Sequence, residues 1–177
     1  MFEKKYIWMA SVAIFILAFY FVEVGPWSSR AVAKFNEGYG TFDMKHYTPE
    51  IVQTILSKMK PEGFDLSYRY YLCDTIFIFA FGWLQFNISS LIYGKAINSR
   101  IYHVLFIATV AILILRGMSD MIENSLLVFT LKSYPKVNEG IVTIASSVTQ
   151  CKLWCIKIWM ILCGIGITWN IIFSKLK

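Results

Sequence analysis

The chain has 177 residues, of which 57% are Ala, Val, Ile, Leu, Met, Phe, Trp, Tyr or Cys, 17% are aromatic and only 16% are charged, against roughly 25% charged in an ordinary soluble domain. With a mean hydropathy of +0.57, a fold this small cannot hide its apolar surface from water, which excludes a soluble enzyme, a disordered chain and a disulfide scaffold. The net charge of +6 comes from scattered cations with no basic helix or aromatic-interleaved basic patch, so it fits lysines and arginines flanking membrane spans and not a nucleic-acid surface.

Met-Phe-Glu-Lys-Lys opens the chain, and an apolar run follows from Tyr6 to Val22. The charged start resembles a signal peptide. The run of about 17 residues is long for such a peptide. The one cleavage-like triplet, Ala31-Val32-Ala33, is set apart from the run by Arg30 and a polar stretch. An uncleaved first span over about Tyr6–Val24 is therefore expected. Further apolar stretches lie at about Tyr68–Tyr93, Ile101–Leu131 and Val148–Phe173. Each reaches the roughly 20 residues that a spanning helix needs. Their lengths are helical, and only helices or closed barrels can cross lipid.

The one long connection, about Gly25–Arg69, carries six cations and five acids. Within it, Thr48-Pro49-Glu50 reads as a helix start: an N-cap, a proline at the first helical position and an acid in the first turn. Ile51, Val52, Ile55, Leu56 and Met59 then share one face, with Pro61 and Gly63 as the stop. A short amphipathic helix beside the bilayer is expected there. The fold class is thus all-α: a four-helix transmembrane bundle, forming a single integral membrane domain over residues 1–177, with one amphipathic helix in the first extramembrane loop. Lys4, Lys5, Lys95, Arg100, Lys175 and Lys177 cluster on the termini and the short second loop. By the positive-inside rule both termini are expected in the cytoplasm, with the long loop outside. Tyr6, Trp8, Trp27, Tyr68, Tyr70, Tyr71, Tyr93, Tyr102, Trp154 and Trp169 read as interfacial belts.

Ionisable side chains within spans are costly, and they point to a site. Asp74 lies early in the second span. Arg116, Asp120, Glu123 and Asn124 lie late in the third, at helical i, i+4, i+7, i+8 spacing. Thr149, Lys152 and Lys157 lie early in the fourth, and Glu23 ends the first. An up-and-down topology carries all of these to one side of the membrane. Asp74, Ile78, Gly82, Gln85 and Ser89 form a second small and polar stripe. Both stripes should face the bundle interior. Asp74, Asp120 and Glu123 formally balance Arg116, Lys152 and Lys157. Two readings stay open: a set of internal ion pairs locking the helices, with Lys157 and Glu23 snorkelling, or a pocket for a membrane lipid, another small amphiphile or a partner's polar group. A membrane-embedded isomerase or hydrolase acting on lipid or sterol is the alternative, with Asp120 and Glu123 as a carboxylate pair tuned by Lys152. A small ion or solute transporter would want the polar path to continue across the bilayer, where only Gln85, Asn87, Ser89, Ser90, Asn98 and His103 are on offer.

No nucleophile–base motif is present, and catalytic residues are not assigned. Nothing calls for a cofactor. Cys73, Cys151, Cys155 and Cys163 form no CxxC, and His46 and His103 are distant, so no metal site is expected. A bridge from Cys73 to Cys151 or Cys155 is conceivable. Gly164-Ile165-Gly166 reads as a close-packing point between helices. A homo-oligomer or a larger membrane complex stays open.

Taken together, His46-Tyr47-Thr48-Pro49-Glu50, Leu72-Cys73-Asp74, Asp120-Met121-Ile122-Glu123-Asn124, Tyr134-Pro135, Ala145-Ser146-Ser147 with Thr149, and Lys152-Leu153-Trp154 resemble a family of small four-span membrane proteins common in bacteria. The family's marks are a YTPE-like start, an aspartate early in span two, D-x-x-E-N in span three and an AS-x-x-T-x-x-K-W-like run entering span four. The resemblance covers about residues 46–160. Here Leu153 separates Lys152 from Trp154, so the last motif matches loosely. It implies that Asp74, Asp120, Glu123, Asn124, Thr149 and Lys152 are a shared constellation in a bacterial cytoplasmic membrane protein, without naming a chemistry. Four spans with acids near one face are also similar in architecture to the EXPERA group of sterol isomerases, a likeness of fold alone.

Overall fold

The computed structural model describes residues 2–94 and 100–174, with the side chains of 2–5, 173 and 174 left aside. Lys95, Asn98, Lys175, Lys177 and the side chains of Lys4 and Lys5 lie outside the described residues, and Arg100 is exposed. The described chain is all-helical. The helices are α1 (Phe2–Glu23), α2 (Ser29–Ala33), α3 (Pro49–Lys58), α4 (Pro61–Tyr93), α5 (Arg100–Ser133) and α6 (Glu139–Ser174). Four of them are long and apolar enough to cross a membrane: Tyr6–Glu23 in α1, then α4, α5 and Glu139–Ile172 in α6. This is the architecture of an integral membrane protein. α1 packs on α4, α4 on α5 and α5 on α6, while α6 reaches α4 over a smaller area. α1 and α6 form no extensive contact, so the bundle is open along that edge.

Two helices start earlier than their apolar stretches suggest. α4 begins at Pro61, seven residues before Tyr68, and α6 at Glu139, nine residues before Val148. Pro61 is therefore a helix start and not a stop. The break after α3 falls at Met59 and Lys60, both extended. At α6, Asn138 Oδ1 accepts the Ile141 N–H at 3.2 Å and Glu139 supplies the first-turn acid, a local start signal. At 33 and 36 residues, these helices run about 50 Å each at 1.5 Å per residue. That exceeds a hydrocarbon core of about 30 Å. The residues that precede the two apolar stretches, 61–67 and 139–147, lie at the end where residues 24–60 fold back, the capped end.

The cap has its own local order. Thr48 accepts the Ile51 N–H at 3.4 Å, as an N-cap should, and Pro49 follows. Hydrogen bonds from the Thr48 side chain and from its own backbone hold the Glu50 carboxyl below its ordinary pKa. Val52, Leu56 and Met59 are buried, but Ile51 is exposed, so the apolar face of α3 is narrower than its composition implies. Asn36 and Gly40 clasp each other: Asn36 Nδ2 donates to Gly40 O at 2.7 Å and Gly40 N to Asn36 Oδ1 at 3.0 Å. Gly40 adopts φ +81° against Ser29, where a side chain would be strained. The apolar side chains of the cap join the ends of the long helices in one core that includes Val32, Phe42, Tyr47, Tyr71, Leu127 and Val142.

At the opposite, terminal end a separate core forms from Ile92, Tyr93, Tyr102, Trp159 and Cys163. Here Tyr93 OH donates to Leu162 O at 2.6 Å and Tyr102 OH to Asn170 Oδ1 at 2.9 Å. Tyr70, Tyr71, Tyr93 and Tyr102 are thus interior residues, not belt residues. A buried hydroxyl with a partner costs little, and the ring adds apolar area. Tyr6, Trp8, Trp27 and Trp154 do stay exposed. Of the paired glycines in α6, Gly166 alone marks a close approach. A Cβ there would meet Ile92 Cγ2 at 2.5 Å and the Tyr93 ring at 2.9 Å, while nothing lies within 4 Å of Gly164.

Candidate functional site

Lys152 on α6 is the centre of a charged circuit. Its Nζ donates to Asp120 Oδ1 at 3.0 Å and pairs with Glu123 Oε2 at 2.6 Å. Asp120 takes Arg116 Nη2 on its other oxygen at 2.7 Å, one turn back along α5. Arg116 Nη1 also reaches Ile78 O at 3.4 Å, and the guanidinium lies 4.6 Å above the Phe81 ring. All four side chains are almost wholly buried. On its far side, Glu123 Oε1 accepts Thr149 Oγ1 at 2.5 Å. The single hydroxyl proton of Thr149 is committed there, so the Tyr47 OH, 3.2 Å away, is the donor in the next link. Burial pushes the Tyr47 phenol well above its ordinary pKa; the Thr149 contact opposes this, while the charges of Glu123 and Asp43 add to it. Tyr47 N in turn donates to Ser146 Oγ at 3.4 Å, and His46 Nδ1 lies 3.2 Å from the same hydroxyl. The cap is thereby tied to α6 and, through Glu123, to α5.

A second group of acids lacks such cations. Asp74 on α4 accepts Asn124 Nδ2 at 2.7 Å. Asp43, in the cap, accepts Tyr70 OH at 2.7 Å through Oδ2, while its Oδ1 has no partner. Arg116 Nε and Asn124 Oδ1 are likewise buried without a partner.

The structure brings all seven residues singled out from the sequence (Asp74, Arg116, Asp120, Glu123, Asn124, Thr149 and Lys152) to the capped end of the interior, each buried. The two stripes do face inward: Ile78, Gln85 and Ser89 are buried with Asp74, and Gly82 is half-buried. Lys157 does not join them. It is exposed, with its ammonium 4.6 Å above the Trp154 ring. Lys152 and Lys157 are five residues apart, about 140° around a helix, so they cannot face the same interior. The expected charge balance fails for this reason. The buried Asp, Glu, Lys and Arg side chains among those described are Asp43, Asp74, Asp120 and Glu123 against Arg116 and Lys152, four carboxylates to two cations. Asp43, Tyr47 and Tyr70 also belong to the site: no periodicity in the cap marks Asp43 or Tyr47 as site residues, while Tyr70, read from the sequence as a belt residue, lies one turn before Asp74 on the same face of α4.

A chamber of about 290 Å³ lies where α1 and α6 fail to close. One wall is polar: Asp43, Asp74, Arg116, Asp120 and Lys152. The other is apolar, with Phe15, Phe19, Phe77, Phe81 and Ile156. The Phe77 and Phe81 rings stack at 5.6 Å, and Phe15 packs tilted against both at 5.7 and 5.5 Å. Glu23 stands at its edge, half-buried. A larger hollow of about 540 Å³ on the α4–α5 face touches the cluster only at Asn124. It is an open groove with Lys132 at its rim and without the charged wall. Among the described residues no group of three His, Cys, Asp or Glu side chains is arranged to hold a metal ion. All four cysteines are free thiols, so the conceivable Cys73 bridge is not formed, and Cys151 instead accepts Ser119 Oγ at 3.7 Å. No protein-family model, curated protein or solved structure matches the chain.

Proposed function

We propose that this integral membrane protein binds one amphiphilic molecule in the chamber between α1 and α6, the polar end against Asp43, Asp74 and Arg116 and the apolar body along Phe15, Phe19 and Ile156. The observation that carries this reading is the two-sided lining of a cavity along an unclosed edge of the bundle. Its volume is near the lower end for small-molecule sites. A ligand's tail can continue past it into the acyl chains. The Asp120–Lys152–Glu123 circuit is better read as the lock that fixes α5 to α6, because its charges already satisfy one another. The two readings left open by the sequence thus divide the cluster between them. The setting that goes with this function is a bacterial cytoplasmic membrane, with both termini in the cytoplasm and the capped end outside. Native mass spectrometry of the purified protein tests it. One retained amphiphile per chain is expected, and Ile156→Trp, which fills the chamber, should remove it while the variant stays folded. Equal retention in the filled variant would contradict the reading.

A further inference from the structure

We propose that the occupant of the chamber carries a protonated amine, seated between Asp43 and Asp74. This rests on the chamber reading above and goes further, because it fixes the charge of the ligand. Both buried cations are already engaged. Lys152 lies between Asp120 and Glu123, at 3.0 and 2.6 Å, and Arg116 pairs with Asp120 at 2.7 Å. Neither reaches Asp43 or Asp74 in an ion pair, and each of those acids has a single neutral donor, Tyr70 OH or Asn124 Nδ2. Asp43 Oδ1 is buried with no donor at all. Two carboxylates on a low-dielectric wall with no cation in ion-pair contact are costly to keep ionised. An ammonium group supplies the missing charge and up to three N–H donors, which is what two half-satisfied carboxylates can accept.

The other chamber residues favour this class. Of the titratable acids and bases lining the chamber, Glu23, Asp43, Asp74 and Asp120 are acids and Arg116 and Lys152 are bases, so acids outnumber bases four to two. A carboxylate or phosphate headgroup would find Arg116 Nε without a partner, but it would stand against Asp43, Asp74 and Asp120 on the same wall. A metal ion would find two carboxylates where it wants three or more ligands. Beyond the charged wall, the clustered Phe15, Phe77 and Phe81 rings offer aromatic surface to an N-alkyl group and area to a chain.

The test uses the full chain in nanodiscs of zwitterionic phosphatidylcholine, so that the lipid surface itself does not select for charge. Dodecylamine, dodecanol and dodecanoate share a tail and differ in the head. The amine is expected to bind saturably, one per chain, about tenfold or more tighter than the alcohol, with the carboxylate weakest. Asp43→Asn combined with Asp74→Asn should erase the preference of amine over alcohol while alcohol binding persists. Lys157→Met, outside the chamber, should leave the preference intact. Equal binding of all three probes would overturn the inference and leave the chamber reading standing. Saturable binding of none would overturn both. A preference for the amine that survives the double variant would place the amine elsewhere and also overturn the inference.

Discussion

Two neighbouring parts of one buried cluster are built on opposite terms. In the circuit of Arg116, Asp120, Lys152 and Glu123, every carboxylate has a cation within 3.0 Å. On the wall of the same chamber, Asp43 and Asp74 have only neutral donors, and one oxygen has none. Burial is alike in both parts, so burial does not explain the difference. The closed part joins α5 to α6, the most extensive helix pair in the molecule. The open part lines the edge where α1 and α6 form no extensive contact. Charges that hold a structure together are consumed by each other, whereas charges left half-satisfied beside a cavity are available to something else.

The sharpest way to break this comparison is to remove the shared cation. Lys152→Ala leaves Asp120 and Glu123 buried, with only Arg116 to compensate. The expected loss is about 3–5 kcal/mol, the range for breaking a buried pair by deleting one partner. Thermal unfolding in detergent should show it as the largest drop of any single change at the site. At the other end of the bundle, Gly166→Ala drives a methyl into Ile92 and Tyr93, and overpacking of this kind costs about 1–3 kcal/mol. It should lower stability while leaving amphiphile retention at the capped end unchanged. Tyr47→Phe removes one link between cap and circuit. About 1 kcal/mol is expected, with the cap becoming more accessible to protease. Asp74→Asn sits on the open wall and should behave unlike Lys152→Ala. It relieves an uncompensated charge while keeping an acceptor for Asn124, so stability should move by less than about 1 kcal/mol as amine binding falls. A loss matching that of Lys152→Ala would show that Asp74 belongs to the lock. Lys157→Met, exposed over Trp154, should stay within about 0.5 kcal/mol of the parent.

Much of this arrangement was legible before any coordinates. Length and hydropathy define the four spans, and the 116/120/123/124 spacing defines one face of α5. The spacing from Asp74 to Ser89 does the same for α4. The up-and-down topology then delivers both to one end. What stayed hidden depends on angle and on long-range closure. Lys157 looked like a partner for the acids because it is near Lys152 in sequence, yet it points some 140° away. Asp43 lies in a cap whose path is set by the Asn36–Gly40 clasp and by Tyr47 meeting α6. No period marks such a residue. Tyr93 and Tyr102 looked like belt tyrosines because composition cannot show that Leu162 O and Asn170 wait opposite them. The early starts of α4 and α6 carried local signals, Pro61-Glu62 and Asn138-Glu139, that a hydropathy threshold passes over.

The most direct measurement is a crystal structure with 12-bromododecylamine, using anomalous scattering to place the bromine. The expected result is a bromine peak on the lipid side of Phe15, Phe19 and Ile156, with continuous density leading back to a nitrogen between Asp43 and Asp74, and neither feature in the Asp43→Asn, Asp74→Asn variant. A chamber closed by α1 packing onto α6, or bromine found only in the groove between α4 and α5, would contradict it.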